Sequence, residues 1–212
     1  AAELGLDSVL SYDMGGTTAK VCLIDEGRPQ TARTFEVARE YRFLKGSGIP
    51  LRIPVIEMVE VGAGGGSIAG VDSMRRISVG PGSAGSNPGP VCYGLGGQLP
   101  TVTDADVTLG RIDPNNFAGG SMRLDSESAA DALIRSVGDL LGFSVEHAAL
   151  GVSEIVDENM ANAARVHAIE SGKNVDARTL IAFGGAAPIH VSRLAEKLGV
   201  DRVVIPPGAG VG

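Results

Sequence analysis

Eight consecutive residues, Asp13-Met14-Gly15-Gly16-Thr17-Thr18-Ala19-Lys20, bring together the groups that polyphosphate chemistry needs. Glycines lack Cβ, so the backbone can turn tightly and present several N–H groups to one anion, and threonine hydroxyls add further donors. A carboxylate at the edge of such a turn supplies a hard oxygen for Mg²⁺ or for a water bound to it. Gly15, Gly16, Thr17, Thr18 and Lys20 are therefore candidate phosphate-binding residues, and Asp13 is the leading candidate for catalysis and metal binding. The competing reading is an ordinary glycine hairpin with Asp13 as a turn residue.

Three other segments carry related chemistry. Thr103-Asp104-Ala105-Asp106 opens a helix, and Asp104 paired with Asp13 from a second lobe would hold one Mg²⁺ or its attacking water. The alternative is that Asp104 and Asp106 only complement a helix dipole. Gly184-Gly185-Ala186 stands between an apolar run and a helix, where an adenosine or ribose phosphate can lie against backbone at the positive helix end. His190, close behind it, is placed to contact phosphate. Gly64-Gly65-Gly66-Ser67 offers a second amide cradle or a loop that closes over substrate, and no Gly-Lys-Ser/Thr follows to make it a Walker motif. Simple chain reversal and close helix packing are the plain readings of these glycines.

The elements that must position these groups follow from periodicity. Ser8 to Tyr12 and Val21 to Ile24 read as strands flanking the glycine-threonine tip, and Thr34 to Ala38 as a third strand of a meander. Leu51 to Val61 and Met74 to Val79 read as further strands. Gly80 to Pro100 is too rich in Gly, Pro, Ser and Asn for regular structure, and its length marks a functional loop or lid ending near Val91-Cys92-Tyr93. Thr103 is expected to cap a short helix from Asp104 to Leu109. Helices follow from Asp125 or Ser126 to Leu141 and from Ser144 to Ser171, the second about 40 Å long at 1.5 Å per residue. A strand Leu180 to Phe183, a helix Ile189 to Leu198 and a strand Arg202 to Ile205 complete an α/β order. One domain over 1–212 is expected, β-rich over about 8–100 and helical over about 101–212.

Composition narrows the function classes. The chain has 212 residues, 43% of them hydrophobic, enough for a real core. Thirty-one glycines are roughly twice the usual share of about 7%. Net charge is −7 with no basic cluster, so no nucleic-acid partner is expected. No apolar run is long enough to cross a membrane and no signal pattern is present, so a cytoplasmic protein is expected. The two cysteines, Cys22 and Cys92, offer neither a disulfide framework nor a zinc spacing.

Six segments in register resemble the hydantoinase A/5-oxoprolinase family, which includes ATP-dependent N-methylhydantoinases and acetone carboxylase subunits. They are Asp13 to Thr18, Val61 to Ala69, Val79 to Gly85, Pro88 to Gly94, Pro100 to Ala105 and Phe183 to His190, and they span nearly the whole chain. The resemblance implies an actin/Hsp70/sugar-kinase-like, ribonuclease H-like nucleotide fold, forming part of a larger chain, that uses ATP and Mg²⁺. It places the hairpin as a first phosphate element, Thr103-Asp104 as a second, and Phe183 to Ala186 at the adenosine. It further implies phosphoryl activation of a small-molecule carbonyl substrate, a hydantoin or 5-oxoproline, before ring opening. A hydantoinase B-type partner and further N- and C-terminal regions go with it. Ala187 and Lys20 depart from the family pattern, which keeps two alternatives open: an acetone-carboxylase-like subunit, and a nucleotide-binding scaffold without hydrolysis.

Overall fold

The computed structural model describes residues 1–37 and 46–210. Ser8–Met14 (β1) and Ala19–Asp25 (β2) form the expected antiparallel hairpin, with Met14 opposite Ala19 at the tip. Successive strand side chains face opposite ways. Leu10, Tyr12 and Met14 of β1 and Ala19, Val21 and Leu23 of β2 are buried, while Asp13 and Lys20 lie half-buried on the other face.

Arg28–Pro29 (β3) lengthens the edge of β2. Thr31–Ala32 (β4), Phe35–Val37 (β5), Ile49–Leu51 (β6) and Val55–Ile56 (β7) make two small ribbons, β4 with β7 and β5 with β6. Met58–Val61 (β8) returns to the edge of β2, and Ser67–Val71 (β9) pairs with Ile77–Ser83 (β10) as a separate hairpin. The helical half contains Val102–Thr108 (α1), Ser126–Leu133 (α2), Asp139–Leu141 (α3) and Val145–Glu170 (α4). Thr179–Phe183 (β11), Ala187–Leu198 (α5) and Arg202–Val204 (β12) follow.

The main sheet runs β12-β11-β1-β2-β3, with β8 also on β2. β11 is parallel to both β1 and β12, so Asp13 lies level with Phe183 at the strand ends. Antiparallel pairing where a tight hairpin leads and parallel pairing where helices return the chain is the α/β, ribonuclease H-like order expected.

α4 carries the core. Ser144 caps it by accepting the N–H of His147, and Gly172, at φ +65°, leads the chain away after its end. Its buried stripe is rich in alanine, at Ala148, Ala149, Ala161, Ala163, Ala164 and Ala168, which lets α1 and α5 approach closely. Val152, Val156 and Met160 fill the space between, and the Tyr12 hydroxyl lies 2.7 Å from the sulfur of Met160. At the end of the sheet away from the hairpin tip, Arg178 donates to the carbonyls of Val9 and Ile24 and pairs with Asp25. Among the described residues no helix is long and apolar enough to cross a membrane.

Several boundaries differ from the sequence reading. Thr101, not Thr103, caps α1, with Asp104 completing the capping box, so the helix begins two residues earlier. Leu51 to Val61 falls into the end of β6, then β7 and β8, and Pro54, at the break before β7, lacks the N–H that a continuous ladder needs. The glycine-rich stretch after Val79 is partly ordered, since β10 continues to Ser83 and Val91–Tyr93 is a 3-10 turn. The helix ending at Gly142 is interrupted by a π segment, Ile134–Gly138. The strand expected over Thr34 to Ala38 does not extend the hairpin as a meander: Phe35–Val37 pairs with β6 in a separate ribbon, and Ala38 lies outside the described residues. Leu180 sits fully buried in β11 among these elements. Leu180→Ala is expected to destabilise the protein by about 2–5 kcal/mol, measured as a lowered urea midpoint with unchanged slope.

Candidate functional site

The hairpin tip owes its shape to three glycine loops pressed together. The Gly15 N–H bonds the Thr18 carbonyl to close the turn. The N–H groups of Gly16, Thr17 and Thr18, with both threonine hydroxyls, donate to no acceptor among the described residues. Exposed, unpaired donors on a glycine turn form a nest for an anion. Gly15 and Gly16 line a cavity of about 510 Å³.

The Gly62 to Gly66 loop stands behind that tip. Gly65 N–H donates to the Gly15 carbonyl at 3.0 Å, Gly66 N–H to the Gly16 carbonyl at 2.6 Å, and Gly64 N–H to the Ser67 hydroxyl at 2.9 Å. All three amides are spent inside the protein, so the amide cradle expected at Gly64, Gly65, Gly66 and Ser67 is instead a brace, with Ser67 fully buried. A Cβ on Gly64 would stand 2.7 Å from the Gly16 carbonyl carbon and the Thr17 nitrogen. Thr103 holds the brace from the other side, giving both its N–H and its hydroxyl to the Gly65 carbonyl.

The third loop is Gly184-Gly185-Ala186, between β11 and α5. Gly184 adopts φ +94°, and a Cβ there would meet Asp13 Oδ1 and the Met14 carbonyl, each at 2.5 Å. Only glycine lets the turn press on the end of β1. Ala186 N–H then bonds the Met14 carbonyl. α5 starts without any side-chain cap and with Pro188 in its first turn, so its N-terminal end offers positive potential on the cavity wall, where Gly185, Ala186 and Ile189 lie.

The two sequence-predicted carboxylates fare differently. Asp13 is half-buried beside Gly184 and makes no hydrogen bond to a described residue. A single such carboxylate together with phosphate oxygens fits the way Mg²⁺ is commonly held. Asp104 does not fit. It is fully buried and accepts from Thr101 N–H at 2.8 Å, Thr101 Oγ1 at 2.9 Å, Cys92 N–H at 2.8 Å and Val91 N–H at 3.1 Å. Those four donors, three on Oδ2 and one on Oδ1, come from inside the protein, so the expected Asp13–Asp104 metal pair gives way to a structural Asp104 that ties the 91–93 turn to α1. Neither carboxylate is among the cavity's lining residues, and no cluster of three or more metal-ligating side chains occurs among the described residues. Lys20 lies opposite Asp13 in the β1–β2 pairing and opposite Glu60 of β8, beside the tip and not on the cavity wall.

His190 is fully buried beneath the cavity and does not reach its surface, so direct phosphate contact, as expected from sequence, is not what its position provides. Its Nε2 lies 3.1 Å from Asp106 Oδ2 and its Nδ1 2.9 Å from Asp157 Oδ1. Burial pulls the imidazole toward neutrality, but the hydrogen bonds and charges of Asp106 and Asp157 outweigh it and lift its pKa to about 9. Asp106 meets the cavity, and its other oxygen lies 3.4 Å from Arg111 Nη1. The same guanidinium nitrogen donates to Ser153 on α4. One imidazolium thus ties α1, α4 and α5 together.

Sequence reading took Asp106 for a helix cap and passed over Asp157 and Arg111. The missed signal was Asp157 on the apolar stripe of α4, four residues after Ser153 and three before Met160, a core position where a carboxylate requires a buried partner. Tyr93, Ile112 and Phe117 supply an apolar part of the remaining wall, the two rings 5.5 Å apart and tilted, and Arg111, Asp113 and Asn116 supply a polar part.

Two outcomes follow from these contacts. Because the folded-state pKa of His190 exceeds its ordinary 6.5, its stabilisation is complete below about 6.5 and is lost as pH rises through about 9. Denaturation between those limits will show falling stability, and His190→Gln will flatten that slope while costing about 3–5 kcal/mol at neutral pH. Gly64→Ala will force the brace off backbone atoms that cannot yield, which a lowered melting temperature will show.

A family model described as hydantoinase/oxoprolinase matches residues 1–212. The crystal structure of the ATP-dependent caprolactamase from Pseudomonas jessenii superposes with a TM-score of 0.83 at 42% identity, over 99% of this chain and 29% of that one. A nucleotide-free acetone carboxylase structure gives a TM-score of 0.87 at 32% identity, over 98% of this chain and 28% of that one. The acetophenone carboxylase gamma subunit of Aromatoleum aromaticum is 40% identical over 212 residues, all of this chain and 28% of its own length. The chain therefore spans less than a third of these relatives. The chain belongs to the hydantoinase/oxoprolinase family.

Proposed function

We propose that this chain is the nucleotide-binding part of an ATP-dependent enzyme that activates the carbonyl of a cyclic amide, a hydantoin or 5-oxoproline, by phosphoryl transfer before ring opening. The observation that carries this reading is the cavity bounded by the unpaired donors of the hairpin tip and by the uncapped start of α5. The similar solved structures, an ATP-dependent caprolactamase and an acetone carboxylase that carboxylates acetone with ATP, support ATP as the phosphoryl source.

In this reading Gly15, Gly16, Thr17 and Thr18 bind the phosphates through N–H and hydroxyl groups, and Gly184, Gly185 and Ala186 face the adenosine. Asp13 would hold Mg²⁺ or its water shell, and the metal would supply neutralisation of the phosphate charge. ATP supplies a phosphoryl group that makes the amide carbon a stronger electrophile. The chain's own work is positioning: the braced hairpin fixes the phosphates with no reorganisation at the moment of transfer. Tyr93, Ile112 and Phe117 give the carbonyl substrate an apolar wall that excludes water. A hydantoinase B-type subunit or domain and the remainder of a longer chain complete the enzyme, as the subunit names of relatives suggest.

The acetone carboxylase likeness favours a second reading, phosphorylation of a ketone and bicarbonate. Full-length protein supplied with ATP, Mg²⁺ and a panel of lactams, hydantoins and ketones separates the two: ring-opened acid supports the first, carboxylated ketone the second. Asp13→Asn is expected to lower phosphate release roughly 10²-fold or more while leaving metal-free nucleotide binding nearly intact. Unchanged release in that variant would remove Asp13 from the mechanism.

A further inference from the structure

A chain of alternating charge runs under the cavity floor: Asp157 on α4, His190 on α5, Asp106 on α1, then Arg111 just beyond α1. Asp157, His190 and Asp106 have side chains 0%, 0% and 2% exposed, whereas Arg111 is 29% exposed. Two carboxylates and two cations make the set neutral, with its one accessible end at Arg111. Among the described residues Arg111 is the only basic side chain lining the cavity. Its Nη1 is held by Asp106 Oδ1 and Ser153 Oγ, which fixes the plane of the guanidinium. A planar fork with further N–H donors suits a phosphoryl group.

Resting on the nucleotide reading above, we propose that Arg111 is the cation that meets the terminal phosphoryl group of the bound nucleotide, and that Asp106, His190 and Asp157 are positioning residues holding it on the cavity wall. The amides of the hairpin tip carry only partial charge and Lys20 lies off the wall, so among the described residues charge developing on the transferred oxygens has one full positive partner on the cavity wall, Arg111, with the Asp113 carboxylate two residues further along the same wall. Asp106 takes part of the guanidinium's charge and so tempers its grip on product. Ser153 keeps the fork from swinging into that carboxylate.

The test uses full-length protein and compares ATP with ADP. Arg111→Ala is expected to lower phosphate release by about 10²–10³-fold and to weaken ATP binding while changing ADP binding less than about threefold. Added guanidinium ion will restore part of the rate, a response that a merely structural role would not give. Arg111→Lys, which keeps charge but loses the fork, will fall between wild type and Ala. His190→Gln will show the same selective loss for ATP over ADP to a smaller degree. Equal loss of ATP and ADP affinity in folded Arg111→Ala, failure of guanidinium to restore rate, or a rise confined to the KM of the carbonyl substrate would each overturn the assignment. Wild-type protein that binds ATP but turns over no carbonyl compound would sink the functional reading alone, because the ATP and ADP comparison still judges Arg111.

Discussion

The walls of the cavity hold together because one imidazolium is buried between two carboxylates. His190 lies at the crossing of α1, α4 and α5, and each helix gives it a reason to stay: Asp106, Asp157 and its own backbone. Burying a single charge there would be prohibitive, and burying an alternating set whose hydrogen bonds are made is not. The alanine stripe of α4 brings the helices near enough for these contacts. Larger side chains at Ala161 or Ala164 would hold them apart. Tyr12 feels the same environment, since burial and the nearby carboxylates of Asp157, Asp106 and Asp13 all disfavour its phenolate.

On the opposite wall the constraint is steric and not electrostatic. The hairpin tip, the Gly62 to Gly66 brace and the Gly184 turn meet backbone to backbone, at separations where no Cβ fits at Gly64 or Gly184. Their carbonyls and amides pair with one another, which leaves the outward N–H groups of Gly16 to Thr18 as the unspent donors. Two different kinds of packing, charge-ordered helices and side-chain-free loops, therefore bound one space.

Much of this was legible in the sequence because it is local. The β1–β2 hairpin, α4 with its Ser144 cap and the Gly184 turn each announce themselves through periodicity or glycine placement within a dozen residues. What could not be read was where a polar atom finds its partner. Asp104 looked like a metal ligand because its type suits one, and only the fold brings the N–H groups of Val91 and Cys92 to it. Asp106 and Asp157 are 51 residues apart, and their shared partner lies on a third helix, so nothing in either neighbourhood betrays the pairing. The Gly65 and Gly66 amides were misjudged for the same reason: their composition suits an anion, but their acceptors, the Gly15 and Gly16 carbonyls, come from the hairpin.

Asp104 also sets how the mouth of the cavity can move. Its carboxylate gathers donors from the Val91–Tyr93 turn and from the start of α1 at once. Peeling that turn away would strip two amides from a buried anion in a single step, with no water at hand to replace them. Tyr93, whose ring lies against Phe117, is thereby carried on the same rigid body as the helix bearing Asp106. A movement of the Val91–Tyr93 turn that keeps these bonds must hinge outside residues 91–108 and carry Tyr93 and Asp106 together.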